Sequence, residues 1–548
     1  MAASLPYREP GIITILIQAS FLLLLNAANF VLDHSLYCGL LGQIFVGVAW
    51  GTPGAKWLSA EVEQVVVQLG YLGLLLLVYE GGLSTSLTAL RANLWLSSCV
   101  AITGISVPIG LSFVLQKLSG ATPLQSFAAG AALCSTSLGT TFTVLRSTGL
   151  VKSRLGVVLT SAAMMDDVVG LVMVQIISNL GSSGDHIGSV TVVRPLLVSF
   201  AFAVCAPLLC VFAARPFTLR LNSYRMRHSQ GFINQLVNKK GTPWVIHSSI
   251  LIGSIAGSTY AGTSNLFAAY IAGAAISWWD SEVPHPVQEA TAVGASASEQ
   301  EPGSGSASLS ASRESQRINS SGSAVFDRYY SQPLERILKP FFFASIGFSI
   351  PITEMFDGSI VWRGVVYTAL MMLGKLLCGV WLLRVPLTCI LPTKLLAVIK
   401  HPRIQMPHFW GRDDQKESKT PRNPTPAHTP HRDSATQTTN SHCSPAGTNP
   451  RSVYPAVVLG CAMTARGEIG FLISSIAESN KVFSSASADE EGKSSEIFLV
   501  VTWAIMLCTI LGPLSLGLVV RRVKQLQQGV EKQGRLVQKD VLGVWGLS

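Results

Sequence analysis

Apolar residues in this chain fall in long unbroken runs rather than at the alternating or three-to-four-residue spacing of soluble strands and helices. Thirteen such runs occur, at 11–31, 35–52, 64–84, 94–116, 126–145, 156–180, 192–214, 243–261, 264–279, 335–352, 360–383, 453–477 and 497–520. A bilayer core about 30 Å thick takes roughly 20 apolar helical residues to cross, and most of the runs are near that length. Backbone groups cannot stay unpaired in lipid, so the runs are expected to be helices, not strands. The pattern therefore predicts an all-α polytopic membrane protein with thirteen transmembrane helices. Helices 1–9 fall in 1–279, helices 10–11 in 335–383 and helices 12–13 in 453–520. The first run carries no cationic cluster before it and is too long for a signal peptide, so it is expected to be retained.

Composition agrees. A chain of 548 residues would make roughly three or four soluble domains, but only 13% of its residues are charged and 49% are apolar, with a mean hydropathy of +0.42. Ordinary globular domains are about 25% charged. The charges crowd between the apolar runs and fix an orientation. With the N-terminus outside and the C-terminus inside, the inner connections hold 29 of the 40 Lys and Arg residues and the outer ones seven. That asymmetry follows the positive-inside rule. The net charge of +10 then needs no nucleic acid; it faces anionic lipid. The sequence leaves open whether the membrane is the plasma membrane or an organellar one. The ten cysteines are scattered through apolar runs without metal-ligand spacing and read as packing residues; no cofactor is implied.

Three segments fall outside the pattern. The connections 280–334, rich in Ser, Ala, Gly and Glu, and 384–452, rich in Pro, Thr, His and Arg, have the composition of disordered cytoplasmic loops. Each is either a spacer or a regulatory segment. Asn319-Ser320-Ser321 matches the glycosylation pattern but is placed inside, where it stays unmodified. The tail 521–548 begins Arg521, Arg522, Lys524 and reads as a short amphipathic helix on the membrane surface; it is too short for a nucleotide-binding domain.

Charged side chains near a bilayer centre cost roughly 2.5–3.5 kcal/mol each on insertion scales and mark functional sites. Away from helix ends there are six: Glu80, Asp166, Asp167, Lys375, Arg466 and Glu468. Asp166 and Asp167 are adjacent in mid-helix, so they point about 100° apart and cannot share one environment. Lys375 is a natural partner for one of them, either as a lock between two helices or as part of an ion site. The unpaired carboxylate can hold a proton or a small hard cation. In the fifth run Cys134-Ser135-Thr136-Ser137-Leu138-Gly139-Thr140-Thr141, and in the twelfth Thr464-Ala465-Arg466-Gly467-Glu468, put small, polar or helix-weakening residues at mid-membrane. Such stretches suggest unwound segments beside a cavity. Seven crossings apart, they run in opposite directions, the signature of an inverted-repeat transporter with two broken crossing helices. Arg466 and Glu468 either neutralise the exposed half-helix ends or help form the cavity.

These residues, with Leu77-Val78-Tyr79-Glu80-Gly81-Gly82-Leu83, Gly374-Lys375-Leu376-Leu377 and Phe341-Phe342-Phe343-Ala344-Ser345-Ile346-Gly347, resemble the monovalent cation:proton antiporters, and among them the NapA-like sodium/proton exchangers of the second subfamily. The resemblance covers residues 11–520 apart from the two long loops. It implies an NhaA/NapA-like fold, in which a six-helix core (runs four to six and eleven to thirteen) moves against a dimer-forming panel (runs one to three and eight to ten). It further implies that Asp167 carries the cation (Na+) and proton, that Asp166 pairs with Lys375, and that oxygens near Thr136 and Ser137 line the site. Arg466, Glu468 and Glu80 would support the broken helices. A double aspartate with lysine points to electrogenic exchange of Na+ or Li+ for H+ by an elevator-type mechanism, with K+ as the alternative ion and a homodimer as the assembly. An intramembrane aspartyl protease is excluded because its two aspartates stand on separate helices. A channel on the same fold differs in having no obligatory coupling to protons.

Overall fold

A computed structural model describes residues 9–36, 38–85, 93–137, 153–182, 189–228, 231–237, 239, 241–283, 321–383, 453–484, 494–532, 542 and 545. Among them the only regular secondary structure is helical. In chain order these are α1 Ile12–Leu36, α2 Gly39–Trp50, α3 Ala60–Leu83, α4 Leu94–Ser112, α5 Pro123–Ala132, α6 Arg154–Ser182, α7 Ser189–Leu209 and α8 Arg215–Arg227. There follow α9 Thr242–Ala261, α10 Asn265–Glu282, α11 Gly322–Tyr329, α12 Lys339–Phe348, α13 Gly358–Leu376, α14 Tyr454–Thr464, α15 Glu468–Ser479 and α16 Glu496–Lys532. Every apolar run overlaps one or more of these in its described part, and eight described helical stretches are long and apolar enough to cross a membrane unaided.

Two groups of helices pack among themselves. In the first, α3 lies along α10 and α12, α2 lies between α1 and α12, and α9 packs on α10. In the second, α16 packs on α13 and α14, α6 on α4 and α15, and α5 on α4 and α15. Close backbone approach holds the first group together. A methyl on Gly47 would run into the Ala344 carbonyl, and one on Gly82 into the Tyr270 carbonyl. In lipid, apolar burial does not drive helices together, so small residues that let backbones touch take over that role. α7 touches α6 on one side and α10 on the other, and so bridges the two groups.

Three expectations are corrected at the helix ends. The predicted loop 280–334 contains structure at its far end: α11 is capped by Ser321, whose Oγ accepts from Ala324 N–H at 3.3 Å. Val325 and Phe326 are buried, and Phe326 rests against Tyr79 with ring centroids 5.9 Å apart. A turn of π-helix, Leu334–Leu338, then leads into α12. Four apolar positions among polar ones make too short a run to register as a crossing. The seventh run does not end at 214 but passes through a π-turn, Cys210–Ala214, into the basic α8. The tail likewise does not start a new surface helix at 521, because α16 continues unbroken to Lys532. Helices outlast their apolar stretch once they leave lipid, since Arg, Lys and Gln are good helix formers. Loop residues 284–320, with Asn319, and 384–452 lie outside the described residues.

Candidate ion-binding site

The site is built where two helices stop in mid-core. α5 starts from a capping box: Gln125 N–H donates to Thr122 Oγ1 at 3.2 Å and Thr122 N–H to Gln125 Oε1 at 2.8 Å, with Pro123 at the first position. The Gln125 side chain also donates to Phe483 O at 2.8 Å, pinning the start of α5. α5 ends at Ala132, and the chain continues to Ser137 without helical structure; the second half of this expected broken helix, from 138, lies outside the described residues. The other break is complete: α14 stops at Thr464, Ala465–Gly467 is non-helical, and α15 starts at Glu468.

The two unwound stretches meet. Ser137 N–H donates to Ala465 O at 2.8 Å, and Thr136 Oγ1 reaches Met463 O at 3.3 Å. Gly467 is required here, because a Cβ on it would stand 2.7 Å from both Cβ and Oγ of Ser137. Unwinding leaves carbonyls without helical partners, and two buried cations take them. Lys375 Nζ donates to Cys134 O at 2.5 Å, and Arg466 Nη1 to Ser135 O at 2.6 Å. Both positive charges stand at the C-terminal end of α5, where the helix dipole is negative. Thr509 of α16 closes the arrangement by donating to Arg466 O at 3.1 Å.

Lys375 is fully buried and pairs with Asp166 Oδ2 at 2.7 Å. Thr136 joins the pair, accepting from Lys375 Nζ at 2.9 Å and donating to Asp166 Oδ2 at 2.9 Å. Room for the pair comes from Gly104 on α4: a Cβ there would be 3.2 Å from Lys375 Nζ and 3.3 Å from Asp166 Oδ2. Behind it, Ser112 Oγ and Tyr367 OH, 2.7 Å apart, tie α4 to α13.

Asp167, one residue on, is half-buried and, among the described residues, has no hydrogen-bond or ion-pair partner. Glu468 at the start of α15 and Tyr270 of α10, whose hydroxyl lies 3.0 Å from Thr85 Oγ1, are among the polar groups around it. So the two adjacent carboxylates divide as helical geometry requires, one neutralised and sealed, the other unpaired among the described residues.

Seven of the eight residues singled out from the sequence thus belong to one neighbourhood. The eighth, Glu80, stands on α3, where Glu335, Lys339 and Asp327 act on it; Lys339 acts on Glu468 at the start of α15 as well. Several contributors gave no residue-level signal. Cys134, Ser135, Met463 and Ala465 act through carbonyls, and Gly104 through the absence of a side chain. Thr509 lies in an otherwise apolar helix.

Residues 37–399 match the family model described as sodium/hydrogen exchanger, transmembrane. The chain belongs to the sodium/hydrogen exchanger family. Within this family, the chain is 30% identical over 163 residues to the Na(+)/H(+)-K(+) antiporter GerN of Bacillus cereus, covering 30% of this chain and 41% of that protein. It is 28% identical over 148 residues to the high-affinity Na(+)/H(+) antiporter NhaS3 of Synechocystis, covering 27% and 32% respectively. These matches therefore span less than half of each relative. The fold resembles that of the sodium proton antiporter MjNhaP1 from Methanocaldococcus jannaschii, with a TM-score of 0.50 and 10% identity, over 93% of this chain and 98% of that one. The chain is accordingly a multi-pass integral membrane protein of the antiporter fold, helical throughout its described residues, and its relatives are transporters rather than enzymes.

Proposed function

We propose that this exchanger moves a monovalent cation, Na+ or Li+, against H+ across its membrane, with Asp167 as the group both ions compete for. The observation carrying this reading is the division of the aspartate pair. Asp166 has its charge matched by Lys375, while Asp167, beside the crossing of two unwound segments, has no partner among the described residues. A carboxylate in that position gives an oxygen-loving cation one anionic ligand and gives a proton the same seat. Release of the proton on one side, binding of the cation, passage of the core past the panel and displacement of the cation by a proton on the other side complete one cycle. Electrogenic exchange belongs to the same reading, as the resemblance of the double aspartate with lysine implies. The elevator-type motion, the homodimer formed through the panel, and the orientation with N-terminus out and C-terminus in belong to the same reading. Thr136, whose hydroxyl is committed to Asp166 and Lys375, holds the pair in place; Ser137, Arg466 and Glu468 maintain the crossing.

Exchange of K+ is the second reading, favoured by the name of GerN, a Na(+)/H(+)-K(+) antiporter. One experiment decides both. Proton flux in proteoliposomes is followed with Na+, Li+ or K+ over a pH series, with and without an imposed potential, for the unaltered chain and for Asp167→Asn. Saturable, cation-dependent proton flux that is lost in Asp167→Asn supports the assignment; unchanged flux in that variant overturns it, and cation flux without protons indicates a channel.

A further inference from the structure

α7, the π-turn and α8 form one rod from Ser189 to Arg227. At 1.5 Å per residue it is about 58 Å long, roughly twice the about 30 Å of hydrocarbon it must cross, so α8 reaches the headgroup layer. The charge pattern there is one-sided. No Asp or Glu occurs between residues 186 and 279, whereas 215–240 holds Arg215, Arg220, Arg225, Arg227, Lys239 and Lys240. Arg215, Arg220, Arg227 and Lys239 are exposed, while Arg225 turns inward to Asn234 Oδ1 at 3.1 Å. The same stretch exposes large apolar groups: Phe217 at 68%, Met226 at 70% and Phe232 at 78%. Its inner face is fixed, because Thr218 and Asn222 are buried and Trp279 Nε1–H donates to Thr218 Oγ1 at 3.0 Å. A water-facing helix has no use for bare aromatic rings, and a helix buried in hydrocarbon has none for four cations. Rings at the acyl boundary with guanidinium groups among phosphates satisfy both.

We propose that α8 together with Phe232 and Lys239 forms a binding surface for anionic phospholipid headgroups of the inner leaflet, with Arg215, Arg220, Arg227 and Lys239 as its cations. Because α7 touches both α6 and α10, headgroup charge grips the rod that joins the two helix groups.

The test uses the full chain in a neutral detergent, with phosphatidylglycerol as probe and phosphatidylcholine as control, reading the melting temperature against lipid concentration. Phosphatidylglycerol raises the melting temperature, phosphatidylcholine does not, and high salt removes the effect. The variant R215Q/R220Q/R227Q/K239Q needs about two to three orders of magnitude more phosphatidylglycerol for the same rise, at about fivefold per basic residue. R215K/R220K/R227K, which keeps the charge, responds like the unaltered chain and covers the case in which the glutamine variant does not fold. Equal responses to both lipids, an undiminished response in the glutamine variant, loss of response in the lysine variant or insensitivity to salt each overturn the proposal. So does an equal rise with glycerol phosphate alone, which would assign a soluble phosphate ligand instead. The readout needs no transport, so failure here leaves the exchange reading standing.

Discussion

Replacing Lys375 by Met and Asp166 by Asn, singly and together, tests whether the buried pair is one structural unit. Lys375 Nζ spends its three donors on Asp166 Oδ2, Thr136 Oγ1 and Cys134 O. Lys375→Met removes all three bonds and leaves a buried carboxylate whose Oδ2 keeps only Thr136 and whose Oδ1 has no partner at all. Asp166→Asn leaves a buried ammonium with two neutral acceptors. Breaking a buried pair from one side costs about 3–5 kcal/mol. Deleting both charges while keeping the volumes is instead neutral or stabilising by about 1–4 kcal/mol. Additive singles would put the double variant at least about 6 kcal/mol below the starting protein, whereas the unit reading puts it close to the starting protein or above it. The expected coupling is therefore at least about 6 kcal/mol, well above the few tenths seen between independent sites. The assay is unfolding of purified protein by titration with denaturing detergent, following loss of helical signal for the four chains side by side. A double variant as unstable as the two singles combined would refute the argument.

Other substitutions probe the surroundings. Gly467→Ala drives a methyl into Ser137 at the crossing and should destabilise by about 1–3 kcal/mol, seen as a lowered melting temperature; no change would mean the crossing is looser than 2.7 Å implies. Arg466→Lys retains one donor for Ser135 O, so it should unfold later than Arg466→Ala, which leaves that buried carbonyl unsatisfied at about 1–3 kcal/mol; equal losses would remove the carbonyl from the account. At the inner end of α10, one residue past its predicted crossing, burial pushes the Asp280 carboxyl up to about 6, against a smaller opposing effect of the Gly322 N–H that it accepts at 2.5 Å. A raised carboxyl favours the docked α11 while protonated, so docking is strongest below the ordinary value of 3.8 and weakens as pH rises through about 6. Hydrogen exchange of 322–329, corrected for its intrinsic pH dependence, should quicken across that window in the unaltered chain and not in Asp280→Asn.

Hydropathy located the membrane helices because each run must be apolar over nearly its whole length, a signal that survives any tertiary arrangement. The helix ends were illegible for the same reason. α8 and the last turns of α16 are polar, and α11 is eight residues long, so their helicity depends on what they dock against. The ionisable residues were legible because lipid makes each of them expensive, and this selected Asp166, Asp167, Lys375, Arg466 and Glu468. The same filter selected Glu80 without naming what surrounds it, since an intramembrane charge declares a role without declaring its neighbour. Gly104 stayed invisible among the chain's 48 glycines, because only the third dimension brings Lys375 to it.

At the crossing, four partners are main-chain carbonyls, those of Cys134, Ser135, Met463 and Ala465. Any amino acid supplies that oxygen. Positions 134, 135, 463 and 465 are therefore free to drift in identity within the limits of volume, while 375 and 466, which must reach those oxygens with a cation, are not. A lineage can in this way rewrite most of the letters around its centre and keep the chemistry, so the centre is better sought in a distant relative by the two cations and the two breaks than by the residues between them.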